Sequence, residues 1–92
     1  MKFEWDQTKA VTNEKKHSIS FSEATTVLGD PLELTISDPG HSVDEYRFLS
    51  IGRSSTGNLL VVSYTERQLN QISIISARKA TRQEKPHYEQ NY

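Results

Sequence analysis

The segment Leu59-Leu60-Val61-Val62-Ser63-Tyr64-Thr65 decides the fold of this chain, because it is the strongest predicted β-strand. Its aliphatic start is apolar enough to be covered on both sides, which is typical of a central strand. Three further strand-like runs occur at residues 32–36, 46–51 and 72–77. The connections between them are short and carry no helical pattern, so the runs predict a four-stranded antiparallel meander.

Two helices are predicted before the strands. Asp6 is a good N-cap for a helix over residues 7–16, which contain neither glycine nor proline. The run Ser20-Phe21-Ser22-Glu23 is a capping box for a second, short helix, which Gly29 and Pro31 end. Helices that precede a meander of strands make the predicted fold class α+β.

A third helix is predicted in the C-terminal segment. It is expected to begin at Arg78, around Ala80, and Thr81-Arg82-Gln83-Glu84 offers another capping box there. Pro86 lies too deep for the first turn of such a helix, so it is expected to kink or end it.

The composition limits the classes of protein that fit. Ninety-two residues predict one domain, over residues 1–92. The chain has no cysteine, no apolar run near the ~20 residues that span a bilayer, and no apolar centre of a secretion signal. These features predict a cytoplasmic protein with no membrane contact. The three histidines lack metal-ligand spacing and there is no glycine-rich nucleotide loop, so neither a metal nor a cofactor is expected.

Charge is divided unevenly along the chain. Residues 1–46 carry four lysines against nine acids, a balance of −5, and residues 47–92 carry seven cations against three acids, a balance of +4. All five arginines belong to the second half: Arg47, Arg53, Arg67, Arg78 and Arg82. A basic half that holds an anion is the functional interpretation, and a chance segregation of solvated charges is the alternative.

Three of these arginines are candidates for contact with one phosphate of an RNA. Arg67 and Arg78 follow apolar strands, which fix the position of the residue at their tip, and Arg47 begins another strand. The planar, five-donor guanidinium fork matches the oxygens of a phosphate. The alternative is a set of salt bridges at the strand ends, for example between Arg67 and Glu45.

RNA can be cleaved without a metal, because its own 2′-hydroxyl can serve as the nucleophile. The reaction then needs a base, an acid at the leaving oxygen and positive charge on the phosphoryl oxygens. The sequence leaves the base open, and the candidates are His17, Glu45, Tyr64 and Tyr88. A histidine that closes a helix is more often a cap, and a tyrosine in a strand is more often core. Further contacts with the RNA are predicted for Lys79, Arg82, Arg53 and Tyr88.

An ordered set of short motifs extends along nearly the whole chain. It begins with Phe3-Glu4-Trp5-Asp6, Lys9-Ala10, Asn13, Lys16-His17, Ser20-Phe21, Glu23-Ala24 and Asp30-Pro31. It continues with Glu45, Arg47, Gly52, Leu60-Val61-Val62, Tyr64-Thr65-Glu66-Arg67, the run from Ile74 to Arg82, and Tyr88-Glu89. In this order the motifs resemble the BrnT family, the toxins of a bacterial type II toxin–antitoxin pair.

The resemblance implies a RelE-like fold and a ribonuclease that cuts RNA and arrests translation. It also implies a BrnA-type antitoxin with a ribbon-helix-helix region, through which alone the pair would contact operator DNA. The chain departs from the family at Ser18, where members often have glycine, at Pro86, which interrupts the C-terminal helix, and in being less basic. The alternative function is therefore a catalytically decayed toxin that only binds an antitoxin or nucleic acid.

Overall fold

The computed structural model describes residues 1–37, 47–68 and 70–90. Within these ranges the elements are β1 (Lys2–Trp5), α1 (Gln7–His17), α2 (Phe21–Val27), β2 (Leu34–Ser37), β3 (Arg47–Arg53), β4 (Leu59–Glu66), β5 (Gln71–Lys79) and α3 (Lys85–Glu89). The two N-terminal helices and the four strands predicted from the sequence are confirmed as elements, with ends that shift by at most two residues.

The five strands of the described residues form a sheet in the order β1-β5-β4-β3-β2. Neighbouring strands are antiparallel except β1 and β5, which run parallel and pair Lys2 with Gln71 through Trp5 with Ile74. The predicted four-stranded antiparallel sheet is therefore wrong, because the sheet is five-stranded and mixed, while the α+β class stands. Strand β1 was missed because it is short and its partner comes near the other end of the chain, so no turn links the two.

Alternation along the strands gives the sheet two different faces. Helices α1 and α2 cover the first face, where the core is formed by Ile19, Phe21, Ala24, Val27, Leu60, Val62, Tyr64, Ile72, Ile74 and Ala77. Helix α3 packs on part of the second face, in a smaller cluster of Ile51, Leu59, Val61, Ala80 and Tyr88. Farther along this second face, strand register places four polar residues in one row: Glu4, Ser73, Thr65 and Arg47.

Asn13 joins α1 to the sheet. Strand β1 pairs β5 only as far as Ile74, so the outer edge of β5 beyond that residue has no strand beside it among the described residues. The Asn13 side chain takes that place: its Nδ2 donates to the Ala77 carbonyl at 2.9 Å and its Oδ1 accepts from the Ala77 N–H at 3.1 Å. Nδ2 also donates to the Ile19 carbonyl at 3.0 Å, and Asn13 is buried. The amide thus continues the hydrogen-bond pattern of the sheet where the backbone cannot.

Helix α1 ends in a left-handed turn at Ser18. This residue has φ 60° and ψ 28°, and its N–H donates to the Glu14 carbonyl at 2.9 Å. The left-handed region costs a residue with a side chain about 1 kcal/mol, which is why glycine is favoured at this position of a helix end. The chain therefore makes the turn with serine at some cost in stability.

Replacing Ser18 with glycine is expected to raise the free energy of unfolding by about 0.5–1 kcal/mol, since the relief of strain exceeds the added entropy of the unfolded chain. Thermal denaturation should show a melting temperature higher by about 2–8 °C. Ser22→Gly, at an exposed position inside α2, is the control and should lower it. An unchanged or lower melting temperature for Ser18→Gly would contradict this account of the turn.

The C-terminal helix begins later than the sequence predicted. Strand β5 continues to Lys79, and Thr81 and Glu84 exchange two hydrogen bonds, Thr81 N–H to Glu84 Oε1 at 2.8 Å and Glu84 N–H to Thr81 Oγ1 at 3.2 Å. The capping box therefore closes a turn, and α3 starts after it with Pro86 in its first turn. The expectation that Pro86 ends a helix is wrong, because proline is well suited to a first helical turn.

Tyr88 holds α3 against the rest of the protein. Its ring is 2% exposed, and its hydroxyl donates to Asp30 Oδ2 at 2.6 Å. The same carboxylate oxygen accepts the Arg53 N–H at 2.8 Å, and the Arg53 guanidinium carbon lies 6.0 Å from the centre of the Tyr88 ring. These contacts join α3, β3 and the loop after α2, so Tyr88 serves packing.

Candidate functional site

Arg47 and Arg67 line the same cavity. Arg47 begins β3, and Arg67 follows the end of β4, where its N–H donates to the Gln71 carbonyl at 3.0 Å. Because β3 and β4 are antiparallel, the start of β3 and the end of β4 lie side by side at the same end of the strands. The cavity has a volume of about 330 Å³. We call it the arginine cavity, and its polar and charged walls are Glu4, Asp6, Lys9, Arg47, Thr65, Arg67 and Ser73.

A buried hydroxyl without a partner lies at this cavity. Thr65 is 2% exposed, and its Oγ1 has no hydrogen-bond partner among the described residues. In the sheet register Thr65 stands between Arg47 and Ser73, so all three side chains are on one face. A buried hydroxyl left unpaired costs about 1–3 kcal/mol, which a ligand oxygen within reach could recover.

The charges of the arginine cavity favour an anion. Among the described residues that line it, Lys9, Arg47 and Arg67 are cations, and Glu4 and Asp6 are acids. Asp6 is occupied, because its Oδ1 accepts the backbone N–H groups of Thr8 and Lys9 at 2.8 and 3.2 Å as the N-cap of α1. Glu4 was missed by the sequence analysis, because only the parallel pairing of β1 with β5 brings it beside Ser73 at this place.

Arg78 is not part of the arginine cavity, so the predicted phosphate site shared by Arg47, Arg67 and Arg78 is wrong. Strand β5 pairs Arg78 with Val61, whereas Thr65 pairs with Arg47. Four residues of extended strand separate Val61 from Thr65, about 13 Å, and Arg67 lies farther along. One phosphate cannot contact both Arg67 and Arg78 over that distance.

The Arg78 guanidinium is engaged by a carboxylate. Its Nη1 and Nη2 donate to Oε1 and Oε2 of Glu84 at 2.7 and 2.9 Å, a bidentate pair. These hydrogen bonds lower the pKa of Glu84 to about 2 and raise that of Arg78. Because Glu84 also bonds the Thr81 N–H, the pair holds the turn between β5 and α3. This arrangement corresponds to the salt-bridge alternative of the sequence analysis, with Glu84 as partner.

Arg78→Ala and Glu84→Gln are each expected to lower the free energy of unfolding by about 1 kcal/mol, because the pair is partly exposed and screened by solvent. A double-mutant cycle in thermal or urea denaturation should show that the two losses do not add. The folded-state pKa of Glu84 is depressed, so the contribution is complete above pH 4.5 and is lost as the pH falls toward 2. Additive losses, or a contribution that survives at pH 2, would contradict the pairing.

Of the predicted base candidates that the structure describes, none lines the arginine cavity. Tyr64 is buried on the opposite, helix-covered face, stacks on Phe48 at 5.7 Å between ring centres, and its hydroxyl accepts from Ser50 Oγ at 3.1 Å. Burial raises the pKa of Tyr64. His17 lines a neighbouring groove of α1, and Glu45 lies outside the described residues.

A second basic cavity lies near α3. Its volume is about 430 Å³, and its cations are Arg53, Lys79 and Lys85, with Glu89 among its walls. Of the four residues predicted to contact RNA, Arg53 and Lys79 thus come together, Arg82 is exposed on the turn before α3, and Tyr88 is buried.

The loop beside this second cavity is fixed by one carboxylate of α2. Glu23 Oε2 accepts from Ser54 Oγ, Thr56 Oγ1 and Asn58 Nδ2 at 2.7, 2.7 and 2.8 Å. These hydrogen bonds, the one from Ser54 first, lower the pKa of Glu23. The loop between β3 and β4 is thereby held in place, with Asn58 in the wall of the cavity.

Two broader features of the described residues bear on function. No three or more histidine, cysteine or carboxylate side chains of these residues come together in a group that could hold a metal ion. No helix within the described ranges has the length and apolar composition that crossing a membrane requires.

Known proteins resemble this chain in sequence and in fold. A family model described as "Ribonuclease toxin, BrnT, of type II toxin-antitoxin system" matches residues 5–84. The crystal structure of the Brucella abortus ribonuclease toxin BrnT is similar, with 26% sequence identity and a TM-score of 0.66, over 89% of this chain and 99% of that chain. A search of curated proteins finds no match.

These matches concern the ribonuclease toxins of type II toxin–antitoxin systems, a class that acts on RNA and is paired with an antitoxin. Because the family model covers most of its residues, this chain belongs to the BrnT family. The family predicted from the sequence motifs is confirmed.

Proposed function

We propose that this chain is a metal-independent endoribonuclease toxin that cleaves RNA in the arginine cavity. The observation that carries the proposal is that Arg47, Arg67 and Thr65, whose hydroxyl has no partner among the described residues, line one cavity. Two guanidinium groups can hold the oxygens of one phosphate, and their permanent charge stabilises the extra negative charge of the transition state. The Thr65 hydroxyl can donate a further hydrogen bond to the same group.

The reaction uses the RNA as its own nucleophile. The 2′-oxygen forms a bond to phosphorus, the bond from phosphorus to the 5′-oxygen breaks, and a 2′,3′-cyclic phosphate remains. The 2′-hydroxyl proton passes to a base, and the leaving 5′-oxygen takes up a proton from solvent. Both changes of phosphorus–oxygen bonds occur within the RNA, so the protein has only to orient the phosphate, accept one proton and neutralise charge.

We assign the base to a carboxylate at the arginine cavity. Glu4 is the candidate among the described residues, because it lines the cavity while Asp6 caps α1. Glu45, two positions before Arg47, remains the candidate from the sequence. Glu4→Gln and Glu45→Gln would separate them: loss of cleavage with unchanged RNA binding in one variant identifies the base.

The partner is proposed to be a BrnA-like antitoxin with a ribbon-helix-helix region. Type II systems neutralise the toxin with a protein, and an acidic segment suits Arg47 and Arg67, the cations proposed to hold the phosphate. Contact with operator DNA is expected only through the antitoxin.

The alternative is a decayed toxin that binds the antitoxin or nucleic acid without cleavage. Burial of Tyr64 and Tyr88 and the engagement of Arg78 by Glu84 favour it, because they remove three predicted catalytic groups from solvent or substrate.

Expression of the chain alone tests the proposal against this alternative. We expect growth arrest and fragmented cellular RNA, and purified protein should cleave a defined RNA equally well with and without EDTA. Co-expression of a BrnA-like antitoxin should restore growth. Normal growth and intact RNA would favour the decayed toxin, and cleavage lost in EDTA and restored by a divalent cation would refute the metal-independent mechanism.

A further inference from the structure

A groove between α1 and β5 continues from the arginine cavity. It has a volume of about 280 Å³. We call it the α1–β5 groove, and the residues that matter here are Lys9, Thr12, Lys16 and His17 of α1 with Ile75 and Ser76 of β5. Lys9 and Ile75 also line the arginine cavity, so the two spaces share a wall.

The basic residues of this groove lie on one face of α1. Lys9, Lys16 and His17 are spaced i, i+7 and i+8, and Asn13 lies between them on the same face. Since Asn13 is bonded to Ala77 of β5, that face is fixed toward the sheet. Lys9 and Lys16 are about 10 Å apart along the helix axis. They form a row that leads away from the arginine cavity.

The α1–β5 groove also lacks opposing charge. No aspartate or glutamate is among the described residues that line it, whereas Glu4 and Asp6 line the arginine cavity. Hydroxyl groups of Thr12 and Ser76 add hydrogen-bond donors beside the lysines. A row of cations and hydroxyls without acids fits the phosphates and ribose oxygens of a single strand.

We propose that the α1–β5 groove binds the RNA strand next to the cleaved phosphate, with Lys16 contacting a flanking phosphate. The proposal rests on the function proposed for the arginine cavity. It gives α1 a role in RNA binding, whereas His17 was the only residue of this helix among the predicted site residues. The groove sets the path of the strand and contributes binding energy away from the reacting bond.

Lys16 also has a possible structural role, which the test has to distinguish from RNA binding. Lys15, Lys16 and His17 are in the last turn of α1, where positive charge stabilises a helix end. Lys15 is in the same turn, is exposed like Lys16 and has the same charge, but it does not line the groove. Lys15→Gln is therefore a matched control for Lys16→Gln.

The test measures binding of a fluorescent ten-nucleotide RNA in which every ribose is 2′-O-methylated, so that no cleavage can occur. Lys16→Gln should weaken binding about threefold to tenfold and reduce the slope of log K against log salt by about 0.7, the value for one phosphate contact with a single strand. Lys15→Gln should bind within about twofold of wild type with an unchanged slope. Cleavage of an unmodified RNA and binding of a BrnA-like antitoxin are measured in parallel.

Each result decides between distinct conclusions. Equal effects of Lys15→Gln and Lys16→Gln, in a protein that still cleaves RNA, overturn the groove path and leave the proposed function intact. A wild-type protein that neither binds nor cleaves RNA overturns both. Loss of antitoxin affinity in Lys16→Gln with unchanged RNA binding assigns the groove to the antitoxin and overturns the proposal. Selective loss of RNA binding in Lys16→Gln supports it.

Discussion

Arg67→Ala is expected to lower the rate of RNA cleavage by about 10²–10³ while the protein remains folded. Arg67 lines the arginine cavity beside Arg47, and its charge acts on the phosphate when an additional negative charge develops. An interaction that strengthens in the transition state affects kcat more than binding of the substrate. Arg47→Ala should have an effect of the same kind, because it lines the same cavity.

Two further variants sharpen this prediction. Arg67→Lys retains the charge but loses the planar fork, so its activity should lie between those of wild type and Arg67→Ala. Lys15→Ala is the control, because Lys15 is an exposed cation outside both the arginine cavity and the α1–β5 groove. The measurement is single-turnover cleavage of a defined RNA at equal protein concentrations, with thermal melts alongside. Activity of Arg67→Ala within about threefold of wild type would rule out its role, because a lost transition-state contact costs far more.

Arg78 now stands apart from this prediction. Its guanidinium is held by Glu84, so a loss of activity in Arg78→Ala should follow the loss of stability and should also occur in Glu84→Gln. Loss of cleavage in well-folded Arg78→Ala, but not in Glu84→Gln, would instead assign Arg78 to the RNA.

The separation of Arg67 from Arg78 was available from the sequence. Each of them follows a predicted strand, and these two strands are consecutive in a meander. Consecutive antiparallel strands run in opposite directions, so the residues that follow them lie at opposite ends of the sheet along the strand direction. The same rule brings Arg47, at the start of one strand, to Arg67, at the end of the next. The strand topology thus predicts where each arginine lies. The error was the assumption that Arg47, Arg67 and Arg78 all lie at the same end of the strands.

Other parts of the site could not be predicted from local pattern. Local signals were sufficient where they act over a few residues, as at the N-caps Asp6 and Ser20. Glu4 and Ser73 meet only through a parallel pairing of distant segments, for which no turn gives a signal. The Thr81–Glu84 capping box is a local signal, but its two hydrogen bonds can close a turn as well as begin a helix. The pattern alone therefore did not predict the residue at which α3 begins.

The second large effect is expected at Asn13. Asn13→Ala should lower the free energy of unfolding by about 3 kcal/mol, because it removes three buried hydrogen bonds of about 1 kcal/mol each and leaves their partners unpaired. The partners are the Ala77 N–H, the Ala77 carbonyl and the Ile19 carbonyl. For a domain of this size the melting temperature should fall by about 12–24 °C.

Asn13→Asp tests the geometry of these bonds more sharply than truncation does. Aspartate has nearly the shape of asparagine, but it replaces the Nδ2 donor with an oxygen that faces two carbonyl oxygens, those of Ile19 and Ala77. A buried charge without a donor is costlier than a missing group, so at neutral pH Asn13→Asp should be at least as unstable as Asn13→Ala. Glu14→Gln, at the next, exposed position of α1, is the control and should change stability by less than about 0.5 kcal/mol.

Asn13 also links stability to the surface proposed for RNA. Its side chain fixes the face of α1 that carries Lys9 and Lys16 against β5, so its loss should loosen the α1–β5 groove before the whole protein unfolds. Hydrogen exchange should then show earlier loss of protection at Ala77 than at residues of β4. If Asn13→Asp proves as stable as wild type, the side-chain amide does not bond the carbonyls of Ile19 and Ala77, and α1 is not held against β5 through Asn13.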